Sequence, residues 1–331
     1  MLHTVFSRLP SISKVENISK KSVTWLTVDE SGEGQRIDNF LLRHLKGVPK
    51  SHIYRILRSG EVRVDSKRID ATHRLQMGEV LRIPPIRLGE RPETVQAAIP
   101  NASRLANRII YQDEALLVLN KPSGMAVHGG SGVSRGVIEQ LRQEFPGAKF
   151  LELVHRLDRE TSGVLMVGKK RAALVALHRA MRESDMDKRY LVLVKGKWQN
   201  ARQSVKLPLL KYTGADGERR VSVNPEGVDS HTIFNLVKTW GEFSLLEAEL
   251  KTGRTHQIRV HLAHLGFPIA GDDKYGDFSL NKELQKRGLK RMFLHAYKLN
   301  IHHPLSGEPL LLEAPLPDDL ENFLSKLDNN A

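Results

Sequence analysis

From residue 109 onward, short apolar runs follow one another with few helical stretches between them, and this succession constrains the fold more than any other feature of the chain. "RIIYQ" and "ALLVLNKP" read as strands. A helix is expected over 135–145, where Val137, Ile138, Leu141 and Phe145 recur at helical spacing before Pro146 and Gly147. Further strands are expected at 151–155, 164–168 and 189–195, with a helix of about 15 residues after Lys170. "HTIFNLVKTW", "FSLLEAELKT" and "MFLHAYKLNI" add three more strands, and a last helix is expected near 318–327. Because strands mostly follow strands, the expectation is an α+β fold with a mixed, largely antiparallel central sheet. No internal repeat or low-complexity tract interrupts it.

The N-terminal third is different. Residues 36–91 hold 13 Lys and Arg against 6 Asp and Glu, so 56 residues carry +7 of the chain's +13. Such a concentration favours a polyanionic partner, because each phosphate neutralised releases condensed counterions, and nucleic acid is the leading candidate. Within the block, "RIDNFLLRHL" places Ile37, Phe40, Leu41 and Leu45 on one helical face, and "SHIYRILRSG" repeats the pattern from an N-cap at Ser51 to Gly60. "EVRVDSKRI" alternates around Val62 and Val64 and turns at Asp65 and Ser66; "EVLRIP" is a last short strand. The block is thus a helix–helix–strand module with basic polar faces.

The resulting organisation is a flexible tail over 1–33, a basic module over 34–90, a linker over 91–106 within a Pro-containing polar stretch, and a catalytic domain over 107–331. At 331 residues and 40% hydrophobic, the chain can fill a core in each of two domains. The absence of cysteine excludes disulfides, thiolate metal sites and cysteine nucleophiles, and fits a reducing cytoplasm. The longest wholly apolar run, "AALVAL" at 172–177, is far short of the roughly 20 residues that cross a bilayer. The Arg, Ser and Lys of the N-terminal tail also fit a mitochondrial presequence, but a disordered tail is the simpler expectation.

The stretch "LVHRLDRETSGVLMVGKK", 153–170, raises the chemical question. It sets Asp158 among Arg156, Arg159, Lys169, Lys170 and Glu160 in a loop between two strands. Apolar flanks hold such a loop at the rim of a core, with Gly163 ending the turn and Thr161 and Ser162 bonding its backbone. A charged Asp held beside cations can act as nucleophile or base. Glycosidic chemistry usually wants two carboxylates, yet Glu160 alternates away from Asp158. A reaction that keeps and re-bonds its leaving group could manage with one. Uridine isomerisation is such a reaction: the base–sugar bond breaks, the uracil turns, and it reattaches through carbon five.

"HRLDRETSG" closely resembles the signature of the RluA/RluC branch of pseudouridine synthases. "VLNKPSGMAVH" at 118–128, "KRYLVLVKG" at 188–196 and "LKTGRTHQIRVHLAHLGFPIAGDDKYG" at 250–276 agree in family order and together cover residues 105–315. The N-terminal wording is similar to the RNA-binding module named after ribosomal small-subunit protein four. These resemblances imply a cofactor-free, RluC-type enzyme that flips a uridine out of large-subunit ribosomal RNA or its assembly intermediates; with no long exposed apolar stripe and no spanning run, a monomer off the membrane is expected. They also imply roles. Asp158 would be the catalytic aspartate, acting on the anomeric carbon, on uracil carbon six or through a glycal. Tyr190 would stack on the flipped uracil, Ile258 would pack under it, Arg259 would pair with Asp158, and Arg156 would enter the space the nucleotide leaves. For gripping RNA the resemblance points at Arg36, Lys50, Ser51, Arg55, Arg58 and Arg63 without settling which touch phosphate; Lys121 and Lys188, read from the residues themselves, are expected to steer RNA rather than do chemistry.

Plainer readings stand beside these. Asp158 in a salt bridge, Tyr190 in a core and Arg259 on the surface of the helix "HQIRVHLAHLG" would each be ordinary, and Arg254 rivals Arg259 as the partner of Asp158. His256, His261, His264, His302 and His303 lack H-E-x-x-H spacing, so a metal is not expected. The glycines of "HGGSGVSRG" lack the phosphate-loop pattern. The alternatives to ribosomal RNA isomerisation are the same chemistry on tRNA, a non-catalytic assembly factor that binds ribosomal RNA, or a metal-dependent nuclease.

Overall fold

The computed structural model describes residues 22–45, 48–86, 100, 103–129, 135–214 and 217–329. The chain divides into a unit over Met1–Ile99 and a unit over Pro100–Ala331.

In the first unit, α1 (Ile37–His44) and α2 (Lys50–Arg58) bury Ile37, Phe40, Leu41, Ile53, Ile56 and Leu57 against a small sheet. That sheet runs β1-β4-β2-β3, all antiparallel, from β1 (Thr24–Thr27), β2 (Arg63–Val64), β3 (Lys67–Arg68) and β4 (Val80–Ile83). Asp65 and Ser66 turn with φ of 47° and 66°, the positive pair that matches hairpin twist.

Two expectations change here. Residues 22–33 are no loose tail, because β1 pairs Thr24 with Ile83 and Thr27 with Val80, and Leu26 and Val28 fill the core beneath the helices. The balanced charges around "TWLTV" masked a four-residue strand. Residues 1–21 of the expected tail lie outside the described residues. Likewise α2 starts at Lys50 on an extended Pro49, so Ser51 is an exposed residue of the first turn and caps nothing. Most of the linker, 91–99 and 101–102, also lies outside the described residues. Its end does not behave as a linker: Leu105 is buried in a 3-10 turn whose amides donate to Glu144.

The second unit is built on a ten-stranded sheet, ordered β10-β13-β14-β9-β15-β8-β6-β5, with β16 on β15 and β7 on β8. Its strands are β5 (Ile109–Gln112), β6 (Leu116–Lys121), β7 (Glu152–Leu153), β8 (Ser162–Gly168), β9 (Asp187–Lys195), β10 (Arg202–Lys206), β13 (His231–Trp240), β14 (Phe243–Leu250), β15 (Leu294–His302) and β16 (Pro309–Glu313). A hairpin of β11 (Leu209–Thr213) and β12 (Arg219–Val223) stands apart from it. All described pairings are antiparallel except β15 with β8, so the sheet is mixed and largely antiparallel.

The β8/β15 seam explains Gly163. Its φ is +113°, and a Cβ there would lie 2.1 Å from the Ala296 carbonyl oxygen, so only glycine lets the strands meet. Both faces of β8 are covered. Val164 and Met166 face α4 (Arg171–Arg182) through Ala173, Leu174 and Leu177. Leu165 and Val167 face α3 (Val137–Glu144) through Val137, Ile138 and Leu141. Further along the sheet, α5 (Gln257–His264) covers one side through Ile258 and Leu262. On the other side lie α6 (Phe278–Lys286) and α7 (Asp318–Asp328). Strands covered twice become the unbroken apolar runs seen in the sequence.

Candidate active site

The site lies where the loop between β7 and β8 meets β9 and the start of α5. Along that loop alternate residues turn inward. Leu157 enters the core under α3, and His155 Nε2 accepts from the Met166 amide at 3.1 Å, which sets its protonated nitrogen at Nδ1. Burial, with Lys188 nearby, lowers the His155 pKa to about 4. The far end of the loop is strapped down. Ser123 Oγ donates to the Glu160 carbonyl at 2.8 Å, and Lys121 Nζ donates to the carbonyls of Pro122, Met125 and Arg159 at 2.8, 2.8 and 3.1 Å. Asp158 is therefore held between two pinned segments. The Thr161 amide donates to the Asp158 carbonyl at 3.2 Å, while Ser162 Oγ contacts His295 Nδ1 and accepts from Arg291. The expected bonding of Thr161 and Ser162 thus splits: the first closes the turn through its backbone, the second is buried in the β8/β15 seam.

Asp158 keeps 27% of its side-chain surface exposed, and Arg259 Nη1 donates to its Oδ2 at 3.2 Å. That guanidinium is not a surface group. It is 6% exposed and grips Asp272 with two bonds of 2.7 Å, from Nε to Oδ2 and from Nη2 to Oδ1. A forked, doubly held guanidinium is fixed in direction, so its remaining nitrogen points one way. Burial works against both charges. Asp272 and Asp158 more than offset it for Arg259, whose pKa rises, and Arg259 with the Tyr275 and Lys274 amides more than offsets it for Asp272, whose pKa falls. Arg254, the rival, is exposed and donates to the Asp229 carbonyl instead.

Tyr190 sits on β9 where the cluster around α5 and the cluster around α3 meet, packed against both, with Ile258 in the former. Burial and the Asp158 charge raise its pKa, so the phenol stays neutral. Arg156 is exposed, and its side chain forms no hydrogen bond or ion pair among the described residues.

The two lysines expected to steer RNA differ: Lys121 is buried and Lys188 is half-buried beside Tyr190. Lys121 is fully buried; desolvation, with Arg291 nearby, lowers its pKa to about 7. It ties loops together and meets no phosphate. Lys188 shares the Tyr190 face of β9, as the two-residue strand period requires. There it lines a small cavity with His155, Met166, Met186 and Ala296, and burial lowers its pKa too. In the N-terminal unit Lys50, Ser51, Arg55, Arg58 and Arg63 are exposed, as expected, whereas Arg36 spends its guanidinium on the buried Asp38 at 2.7 Å.

Two of the histidines weighed as metal ligands are tied into the fold, and His264 is exposed. His261 lies between Ser230 Oγ at 2.8 Å and Thr232 Oγ1 at 3.0 Å, and His303 meets Asp113 at 2.8 Å. His302 is 3.7 Å from Asp185. Residues 130–134 of the glycine stretch lie outside the described residues. Sequence reasoning missed Asp272 and Tyr275, both inside the quoted "GDDKYG". The signal was there: two acids between glycines, where Gly271 has φ +79° and a Cβ on Gly276 would lie 2.3 Å from the Asp272 carbonyl oxygen.

An aspartate gripped by a fixed arginine beside an aromatic ring is an arrangement suited to glycosidic-bond chemistry. The family model described as RNA pseudouridylate synthase matches residues 115–264, and that of the S4 domain matches 35–81. The Ribosomal large subunit pseudouridine synthase C of Pasteurella multocida (strain Pm70) is 50% identical over 315 residues, 95% of this chain and 97% of its own. The chain belongs to the RNA pseudouridylate synthase family. The protein of the same name from Escherichia coli (strain K12) is 53% identical over 319 residues, 96% of this chain and 99% of its own. Human RNA Pseudouridylate Synthase Domain Containing 4 superimposes on this pseudouridine synthase with a TM-score of 0.56 at 25% identity, covering 68% of this chain and 94% of that one. No helix among the described residues is long and apolar enough to cross a membrane.

Proposed function

We propose that this pseudouridine synthase isomerises specific uridines of large-subunit ribosomal RNA, with Asp158 as its catalytic residue. The observation that carries the reading is the 3.2 Å bond from Arg259 to one oxygen of Asp158, because a guanidinium already bound twice to Asp272 can orient that carboxylate and neither leave nor swing. No enzyme can reach a glycosidic bond inside a stacked helix, so the uridine flips out, at a cost of a few kcal/mol. Phosphate contacts from the exposed arginines of the S4 unit offset that cost. Arg156 enters the vacated space and the neutral Tyr190 ring, backed by Ile258, stacks on the uracil. Asp158 then opens the bond between N1 and the anomeric carbon; the uracil turns, carbon five bonds to that carbon and gives its proton to water, and N1 takes up a proton in its place, so substrate and product are isomers. The choice of ribosomal RNA rests on the high identity to the two synthases C along nearly their whole length. We infer further that the enzyme works in the cytoplasm, as a monomer and without a cofactor.

The test is a map of pseudouridine in large-subunit ribosomal RNA from cells with this chain, without it, and with only Asp158→Asn. Sites present in the first and missing from the other two are expected. If Asp158→Asn restores them, the aspartate reading falls; if the missing sites are all in tRNA, the substrate reading falls. A dimer in light scattering would remove the monomer.

A further inference from the structure

Asp158 faces a second group that the reading above does not use. His256 Nε2 lies 3.9 Å from Asp158 Oδ2, the oxygen that already accepts from Arg259. On the other side of the ring, His256 Nδ1 is 2.7 Å from Tyr275 Oη. The phenol in turn accepts from the Val221 amide at 3.1 Å. His256 holds φ +53° at the N-terminus of α5, a left-handed conformation that costs a non-glycine residue energy and is kept only where its surroundings impose it.

The direction of each proton follows. The Val221 N–H can only donate, so Tyr275 Oη accepts there and keeps one O–H to place. Its partner is His256 Nδ1. Burial pushes the Tyr275 pKa up to about 12, which keeps that proton on the phenol. Were Nδ1 protonated instead, the phenol O–H would have no acceptor among the described residues, and the Nε2 lone pair would face a carboxylate oxygen. Both ends of the ring therefore select the form with hydrogen on Nε2. The charged ring is disfavoured: burial lowers the His256 pKa, Arg259 and Lys274 add to the lowering, and Asp158 and Asp272 oppose it.

We propose that Tyr275 locks His256 as the neutral imidazole carrying its proton on Nε2, and that this N–H is a second positioning donor to Asp158 Oδ2. With Arg259 and His256 on the same oxygen, Oδ1 is left free to face the nucleotide. An approach of about 1 Å would bring Nε2 to hydrogen-bond length. The arrangement also accounts for "GDDKYG" as a unit: Asp272 aims Arg259, Tyr275 aims His256, and the turn between the two glycines holds both. Tyr275 additionally lies under the guanidinium, 5.1 Å from ring centre to Arg259 Cζ.

This inference rests on Asp158 as the catalytic residue, so Asp158→Asn is the control. Nitrogen-15 spectra of the full chain at pH 7, with His256 assigned by difference against His256→Gln, are expected to show the neutral ring protonated on Nε2, and Tyr275→Phe to give a mixture. In single-turnover isomerisation Tyr275→Phe and His256→Ala should slow the step about tenfold with unchanged RNA affinity. His256→Gln, whose amide N–H can stand in for Nε2–H, should recover most of the rate. Adding Tyr275→Phe to His256→Gln should cost nothing further, since no tautomer remains to be fixed. Hydrogen on Nδ1 in the wild type, a charged ring, additive losses in the double variant, or full activity of His256→Ala would overturn the proposal. If Asp158→Asn is itself active, the reading beneath it has failed instead.

Discussion

Arg55, Arg58 and Arg63 of the N-terminal unit stand exposed, while Arg259 of the catalytic unit is 6% exposed and grips Asp272 twice. The same side chain serves opposite ends. Exposed guanidiniums exchange partners readily and are weakened by salt, which suits gripping a polyanion that must later leave. The buried guanidinium has lost its water and can be held only by carboxylates, which suits aiming a single oxygen. Grip and chemistry therefore respond to different perturbations, and each can be removed without the other.

The largest effect expected is on rate alone. Purified Asp158→Asn should release no tritium from carbon-five-labelled RNA while its affinity for RNA stays within a few fold; parallel loss of both would merge the two roles. Next comes Asp272→Ala. It leaves the buried Arg259 with the part-exposed Asp158 and, at 3.6 Å, the exposed Asp273, and should destabilise the second unit by about 3–5 kcal/mol in a denaturant melt. A change of less than about 1 kcal/mol would mean that the pair is not buried in solution.

Acid should separate the units as well. His155, His261 and His295, all in the second unit, have pKa values lowered by burial to about 4 from the model-peptide 6.5. Folded-state values below unfolded ones mean that full stability is present above pH 6.5. As pH falls from 6.5 toward 4 the unfolded chain takes up protons that the folded chain refuses. The melting temperature should drop through that window, and His295→Gln should flatten the drop. A melting temperature constant from pH 6.5 to 5 would contradict the neutral, buried assignment. The smallest effect belongs to the exposed side. Arg55→Ala with Arg58→Ala should weaken RNA binding several fold and lower the salt slope of log K by about 1 to 2, with the rate at saturating RNA unchanged.

The sequence showed most of the frame because β8, β9, β14 and β15 are covered by helices or neighbouring strands and so read as apolar runs. It hid β10, β11 and β12, each of which buries a single residue, Val205, Leu209 and Val221, among exposed or half-buried neighbours and so carries little apolar contrast. That Arg259 would meet Asp158 and that Ile258 would share a cluster with Tyr190 was legible because each of these residues lies in a stretch that resembles a family motif. Asp272 was not, because a loop must close over 13 positions before it meets Arg259. Lys121 misled because a lysine code letter announces a charge, whereas the backbone carbonyls that enclose it decide whether that charge ever reaches water.

Lys121 also gives the molecule a built-in reporter. An ammonium group enclosed by three carbonyl oxygens is sealed from acylating reagents that reach exposed amines. Brief acetylation of the native enzyme should modify the surface lysines and spare this one, and its first appearance in a peptide map would time the moment the Asp158 loop comes undone.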